Sequence, residues 1–340
     1  MIKMAIVGAG LWANEHARIF SEMQEAECVA ICDVNKERAD EFAAKNHIPQ
    51  VYYDHKEMLA KSGCDAVSIV TPDFLHTQIA VDAANAGKHM LIEKPLATTK
   101  EDVFTILEAA GKNRVRIMVD MHNRFSPPFN NAKYIVAGGK FGKPVNAYFR
   151  LNDVRSVATN MLSWASKSSI LWFLGSHCLD TLSWILNSRV KEVYALSSRG
   201  VLDAAGVDAV DVYLSSLVFE NGVIAQMENG WITPNGNPRV NDIKFTCVCE
   251  RGKIDIDASN NNLLKVTSDE RMDTGDCIVS NQIFGYHKGF AYESIRSFIQ
   301  KLESGEEFFV SLEDSANVCL ALLDIMESAK TGKVITCEHV

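Results

Sequence analysis

Apolar residues in the first 120 positions fall into short continuous runs separated by amphipathic stretches. Lys3–Val7, Cys28–Cys32, Val51–Tyr53, Ala66–Val70, His89–Ile92 and Arg116–Asp120 read as strands. Ala66-Val67-Ser68-Ile69-Val70 has the unbroken apolar character of a parallel strand covered on both faces. Helical periodicity fills most of the gaps, starting near Trp12, Asn35, His55, Leu75 and Thr99, with Asn35 as an N-cap and Gly87 as a C-cap. Strands alternating with helices predict an α/β fold built on a doubly wound parallel sheet.

The pattern changes after Asp120. Ser126-Pro127-Pro128 interrupts it and marks a crossing point between two domains, expected at 1–122 and 123–340. Beyond it the strands are longer and alternate more: Val145–Leu151, Val190–Ser197, Val210–Glu220, Gly222–Gly230 and Asn241–Glu250. Asn221-Gly222 predicts a type I′ hairpin turn, because that turn needs two residues with positive φ. Helices are expected near Gly175–Leu186, Tyr286–Glu303 and Glu313–Lys330. The second domain therefore reads as α+β with a largely antiparallel sheet.

Composition narrows the function. The 340 residues can form two cores, and the net charge of -9, with no basic stripe, argues against a nucleic-acid partner. The most apolar stretches, Ile170–Leu174 and Val318–Leu323, are too short to span a bilayer, and no membrane partner is expected. The chain opens directly on a strand-like segment, with no cleavable signal peptide visible. Nine cysteines without framework or metal-site spacing read as reduced thiols in a cytoplasmic protein with no metal.

Gly8-Ala9-Gly10-Leu11-Trp12-Ala13 fits G-x-G-x-x-G/A between the first strand and the first helix. Gly8 permits the tight turn, Gly10 lets the backbone approach a pyrophosphate, and Ala13 allows close helix–sheet packing. The N–H groups at the helix start then favour phosphate. Leu11 and Trp12 lie inside this turn. Asp33 ends the second strand 23 residues after Gly10, placed to accept from a ribose diol and to repel a 2′-phosphate. NAD is therefore expected over NADP, with Arg38 as the residue that could tolerate the extra phosphate. Thr71 and Pro72 end the fourth strand on the carboxyl edge, and His76 is placed to approach the dinucleotide.

Glu93-Lys94-Pro95 follows the fifth strand on the same edge, where a partly buried Lys could work beside a nicotinamide. The Gly-rich turn, Asp33, Thr71-Pro72 with His76, and Glu93-Lys94-Pro95 together resemble the Gfo/Idh/MocA family, the glucose–fructose oxidoreductase and inositol dehydrogenase-like proteins. The likeness continues through His122-Asn123-Arg124-Phe125, Gly175-Ser176-His177-Cys178-Leu179-Asp180 and the segment from Phe298 to Asp314. It implies a Rossmann domain followed by an α/β domain with an open, mainly antiparallel sheet for substrate binding and oligomerisation. It also implies hydride transfer between NAD(P) and a hydroxyl carbon of a sugar or cyclitol, with Lys94 touching both nicotinamide and substrate and His177 as acid/base or hydroxyl anchor.

One departure stands out. Many relatives carry Asp four residues before that His, where this chain has Phe173. Lys94 and His177 are then expected to handle the proton between them, with Asp180 either orienting the imidazole or capping its helix. Asn123, Arg124, Asn152, Trp172 and Asp180, and further Arg155 and His287, are candidates for recognising a polyol or sugar. The expected enzyme is an NAD-dependent dehydrogenase or reductase, a homodimer or homotetramer. The missing Asp keeps open an NAD-assisted cleavage or elimination with no net redox change.

Overall fold

The computed structural model describes residues 1–259, 263–270, 272–274 and 277–340. The chain forms two compact units, Met1–His122 with Gln282–Ala316, and Asn123–Asn281 with Asn317–Val340. Residues 282–316 therefore return to the first unit, whereas the sequence reading kept them in the second domain.

The first unit is built on a six-stranded parallel sheet of order β3-β2-β1-β4-β5-β6: β1 Ile2–Val7, β2 Ala26–Cys32, β3 Gln50–Tyr52, β4 Ala66–Ile69, β5 His89–Ile92 and β6 Ile117–Val119. Helices α1 Ala13–Glu22, α2 Lys36–Asn46, α3 His55–Lys61, α4 His76–Asn85 and α5 Lys100–Asn113 lie between the strands. Every residue of β4 is buried, Ser68 included, as expected of a strand covered on both faces. Asn35 caps α2 by accepting from Arg38 N, and Thr99 caps α5 by accepting from Asp102 N.

The second unit begins with a helix that the sequence reading missed. Pro127 and Pro128 occupy the first positions of α6 (Pro127–Ala137), where a missing N–H costs nothing and the fixed φ suits the helix. Its main sheet has the order β12-β11-β7-β10-β9-β8-β17: β7 Pro144–Asp153, β8 Val190–Ser198, β9 Val212–Phe219, β10 Ile224–Gly230, β11 Asn241–Cys249, β12 Gly252–Asp257 and β17 Ile335–Thr336. All its pairings are antiparallel except β10 with β7. Helix α7 spans Ser176–Leu186. Two short ribbons, β13 (Lys265–Thr267) with β14 (Met272–Thr274) and β15 (Asn281–Ile283) with β16 (Tyr286–Lys288), precede α8 (Phe290–Ser304) and α9 (Leu312–Thr331).

The β9–β10 turn differs from the expected type I′. Only Gly222 has positive φ, at 87°, and Asn221 does not. Asn221 instead uses its side chain, accepting from Val223 N at 3.2 Å and donating to Leu186 O at 3.1 Å. A tertiary bond thus replaces the left-handed conformation that Asn-Gly otherwise favours.

Candidate functional site

The dinucleotide turn is fixed by sterics at its first glycine. Gly8 has φ +100°, and a Cβ there would lie 2.4 Å from Val70 O at the end of the adjacent β4. Only glycine tolerates both conditions. Gly10 has nothing within 4 Å of where a Cβ would be, which leaves an open approach to the backbone. Ala13 is fully buried against the sheet. Beside the turn, Trp12 Nε1 and Thr71 Oγ1 are buried without a hydrogen-bond partner among the described residues. A donor and a hydroxyl left in that state await a ligand, and the donor set fits a dinucleotide.

Asp33 is more heavily engaged than its spacing revealed. It accepts from Ala9 N at 2.8 Å and Asn35 N at 2.9 Å, and Arg38 grips both its oxygens at 2.7 and 3.1 Å. Burial alone pushes the Asp33 carboxyl up, but Arg38 and the two backbone N–H groups outweigh it and hold it below the ordinary carboxylate range. Val34, 86% exposed, and Leu11, 78% exposed, present apolar surface beside it.

The Glu93-Lys94-Pro95 turn is pinned from several sides. Glu93 N donates to Ile69 O at 2.9 Å, and Glu93 Oε1 lies 3.1 Å from His16 Nε2. His76 is fully buried beside this turn. Its Nδ1 lies 2.8 Å from Pro95 O and its Nε2 3.0 Å from Thr71 O, so it ties the two carboxyl-edge loops together. Lys94, between two anchored neighbours, is half-buried.

His177 is 5% exposed and sits in the first turn of α7, whose start is preceded by a π-helical turn, Leu171–Gly175. Such turns widen a helix locally and re-aim the side chains that follow. Phe173 lies within that turn, its ring 6.4 Å from both Trp164 and Trp231, so it is part of an aromatic cluster. Trp172 is buried.

Several predicted substrate contacts are committed elsewhere. Asp180 accepts from Arg124 Nη2 at 2.6 Å and from its Nε at 2.9 Å, both residues buried. That buried ion pair joins two of the residues expected at the substrate site. Asn152 donates to Glu228 Oε1 at 2.7 Å and accepts from Gly230 N at 2.6 Å, joining β7 to β10. His287 is held in the first unit by Glu22 and packs 5.5 Å from the Tyr292 ring. Asn123 remains a candidate, with Nδ2 buried and unpartnered among the described residues. Arg155 Nε is in the same state.

A Rossmann sheet bearing this turn and this Lys-containing edge defines a dinucleotide-dependent oxidoreductase. The model of the oxidoreductase family with an NAD-binding Rossmann fold, Gfo/Idh/MocA, matches residues 2–121, and that of the Gfo/Idh/MocA C-terminal domain matches residues 129–255. The chain belongs to the Gfo/Idh/MocA family. It is 26% identical to a myo-inositol 2-dehydrogenase of Thermotoga maritima over 100% of this chain and 99% of the relative. It is 35% identical to an NADP(+)-dependent scyllo-inositol 2-dehydrogenase of Bacillus subtilis over 39% of this chain and 40% of the relative. The crystal structure of a scyllo-inositol dehydrogenase from Lactobacillus casei with bound NAD(H) and scyllo-inositol superposes with a TM-score of 0.83. That likeness covers 99% of both chains at 20% identity. These relatives are named as dehydrogenases, and nothing in the comparison supports cleavage through transient oxidation.

Proposed function

We propose that this chain is an NAD-dependent dehydrogenase of a cyclitol or sugar, acting at a secondary hydroxyl. The observation that carries the reading is the anchored Glu93-Lys94-Pro95 turn on the same sheet edge as the Gly8–Ala13 turn. NAD, when bound, supplies the hydride acceptor at nicotinamide C4. The N–H groups of the Gly8–Ala13 turn bind its pyrophosphate and Asp33 its ribose diol. Lys94 Nζ and the His177 imidazole hold and move the hydroxyl proton, Lys94 also orienting the reacting carbon. Phe173 lends an apolar wall in place of a third titrating group, which suits the flat face of a ring substrate. Asn123 is the strongest remaining candidate for a substrate hydroxyl contact.

NAD is preferred over NADP because Asp33 is buried and anionic, although Arg38 moderates its charge. A second copy of the chain is expected on the open face of the second-unit sheet. There the pairs Leu196–Leu214 and Val218–Ile224 share a face, and Leu196, Leu214 and Ile224 are each more than half exposed. Nine cysteines without a disulfide support a reducing, cytoplasmic setting.

The test is a panel of inositols and aldoses with NAD, followed at the reduced-nicotinamide absorbance. Turnover with at least one member, abolished in Lys94→Ala while NAD still binds, supports the reading. Protein that neither binds NAD(H) nor turns over any polyol overturns it.

A further inference from the structure

One arginine of the second unit lacks an anion. Arg124 holds Asp180 at 2.6 Å, and Arg150 holds Asp242 at 2.8 Å. Arg150 Nε is unpaired, but the charge of that side chain is met by Asp242. Arg155 holds no carboxylate among the described residues, and its Nε is buried without a hydrogen-bond partner among them. The residue as a whole is half-buried. A guanidinium donor withdrawn from water and left unpaired gives up its hydration with nothing in return. An acceptor of opposite charge and planar shape restores the balance best.

Arg155 belongs to the same strand ends as His177. Strands β7 and β10 run parallel and so end on one side of the sheet. There Asn229, the last residue but one of β10, donates through Nδ2 to Leu151 O at 3.0 Å. The same Nδ2 lies 3.3 Å from Sγ of Cys178, the chain neighbour of His177. Arg155 follows Leu151 by four residues, at most about 14 Å of extended chain, which a long Arg side chain and a substituted six-membered ring span together. The main chain there is firmly tied. Arg155 N donates to Thr233 O at 2.9 Å, and Thr233 N donates to Asp153 O at 3.2 Å. Two residues before Thr233, the Trp231 ring meets Phe173 in the turn that leads into α7.

The neighbouring N–H groups decide which anion fits. A phosphate is usually cradled by a run of free main-chain N–H groups. Here three in succession are spent: Arg155 N on Thr233 O, Ser156 N on Asn235 Oδ1 at 2.8 Å, and Val157 N on Val154 O at 3.1 Å. What remains is one guanidinium, a single positive charge in a planar fork, which matches a carboxylate and falls short of a phosphate dianion. We propose that Arg155 is a carboxylate subsite and that the substrate is a ring polyol bearing a carboxylate, a uronic acid or a carboxylated cyclitol. With its carboxylate on Arg155 and a hydroxyl on His177, the ring is held at two points. Arg155 then determines which ring carbon is presented for oxidation.

This inference rests on the dehydrogenase reading, with His177 at the reacting hydroxyl, so its test has a binding arm that needs no turnover. Wild type, Arg155→Met and Arg155→Lys are loaded with NAD and titrated calorimetrically with D-glucuronate and D-galacturonate, and with their neutral counterparts D-glucose and D-galactose. The same mixtures are followed at the reduced-nicotinamide absorbance. At least one uronate is expected to bind wild type about tenfold to a hundredfold more tightly than its neutral counterpart, the range for a hydrogen bond to a charged group. Arg155→Met should erase that preference, and Arg155→Lys, which keeps the charge but not the fork, should retain part of it. Damage to the fold weakens acid and neutral sugar alike, so the ratio of the two reports the subsite. Wild type that binds neither uronate more tightly than its neutral counterpart overturns the proposal. So does a preference unchanged in Arg155→Met, or D-glucose 6-phosphate binding more tightly than D-glucuronate. If a uronate binds through Arg155 while no probe reduces NAD, the subsite stands and the dehydrogenase reading falls. If neutral sugars reduce NAD as well as the uronates do, the dehydrogenase reading stands and the subsite falls.

Discussion

The two units differ in how the polar residues expected at their sites are engaged. In the first, the sheet edge leaves polar atoms waiting: Trp12 Nε1 and Thr71 Oγ1 are buried without partners, and Gly10 faces open space. In the second, the polar residues expected at a substrate site are mostly spent on one another, Arg124 on Asp180 and Asn152 on Glu228 and Gly230. A cofactor common to a family needs a ready-made, unfilled cradle. A substrate domain first has to hold its own strands and helices together, and buried charge can do that only in pairs.

The sharpest way to break this contrast is Lys94→Ala, which should lower kcat by about 10³-fold or more, within the range for a general acid/base, while NAD binding and unfolding midpoint stay near wild type. A stability loss as large as the activity loss would place Lys94 with the structural residues. Arg124→Ala in the second unit should do the reverse. Removing the Arg124 side of this buried ion pair costs about 3–5 kcal/mol, measurable by denaturant unfolding, and any activity loss should track the unfolded fraction. A stable Arg124→Ala protein with a raised KM would restore Arg124 to substrate binding.

Gly8→Ala, back in the first unit, is expected to cost about 2–3 kcal/mol, from the strained φ and the clash with Val70 O, and to abolish NAD binding. A smaller effect should separate the two members of the ribose pair. Arg38→Ala should weaken NADP about tenfold relative to NAD, and Asp33→Ser should favour NADP by a similar factor, read from kcat/KM with each cofactor. Smallest is the acid response. The Asp33 carboxyl lies below its unfolded value, so its stabilisation is complete above that value and is lost as pH falls through the folded one. Between pH 5 and pH 3, in order-of-magnitude terms, the melting temperature of wild type should therefore fall further than that of Asp33→Asn.

The same contrast explains what could be read from sequence. The six strands of the first sheet and the Gly8–Ala13 turn were legible because each depends on neighbours a few residues away. The α6 start was misread because Pro-Pro serves equally as a breaker and as the first turn of a helix. The roles of Arg124 and Asp180, 56 residues apart, are set by a contact that no local pattern encodes. The structural part of His76 is non-local in the same way: only the fold shows both its nitrogens turned to main-chain carbonyls.

The return of residues 282–316 to the first unit also sets an order of assembly. Tyr292 reaches Glu15, and Arg296 reaches Glu22, from helix α8 to helix α1. On the ribosome, α1 emerges among the first segments and must wait for nearly the whole chain before α8 arrives to cover it. The nucleotide-binding half is thus begun first and completed last, and a nascent chain halted near residue 280 should present an α1 surface that chaperones can recognise.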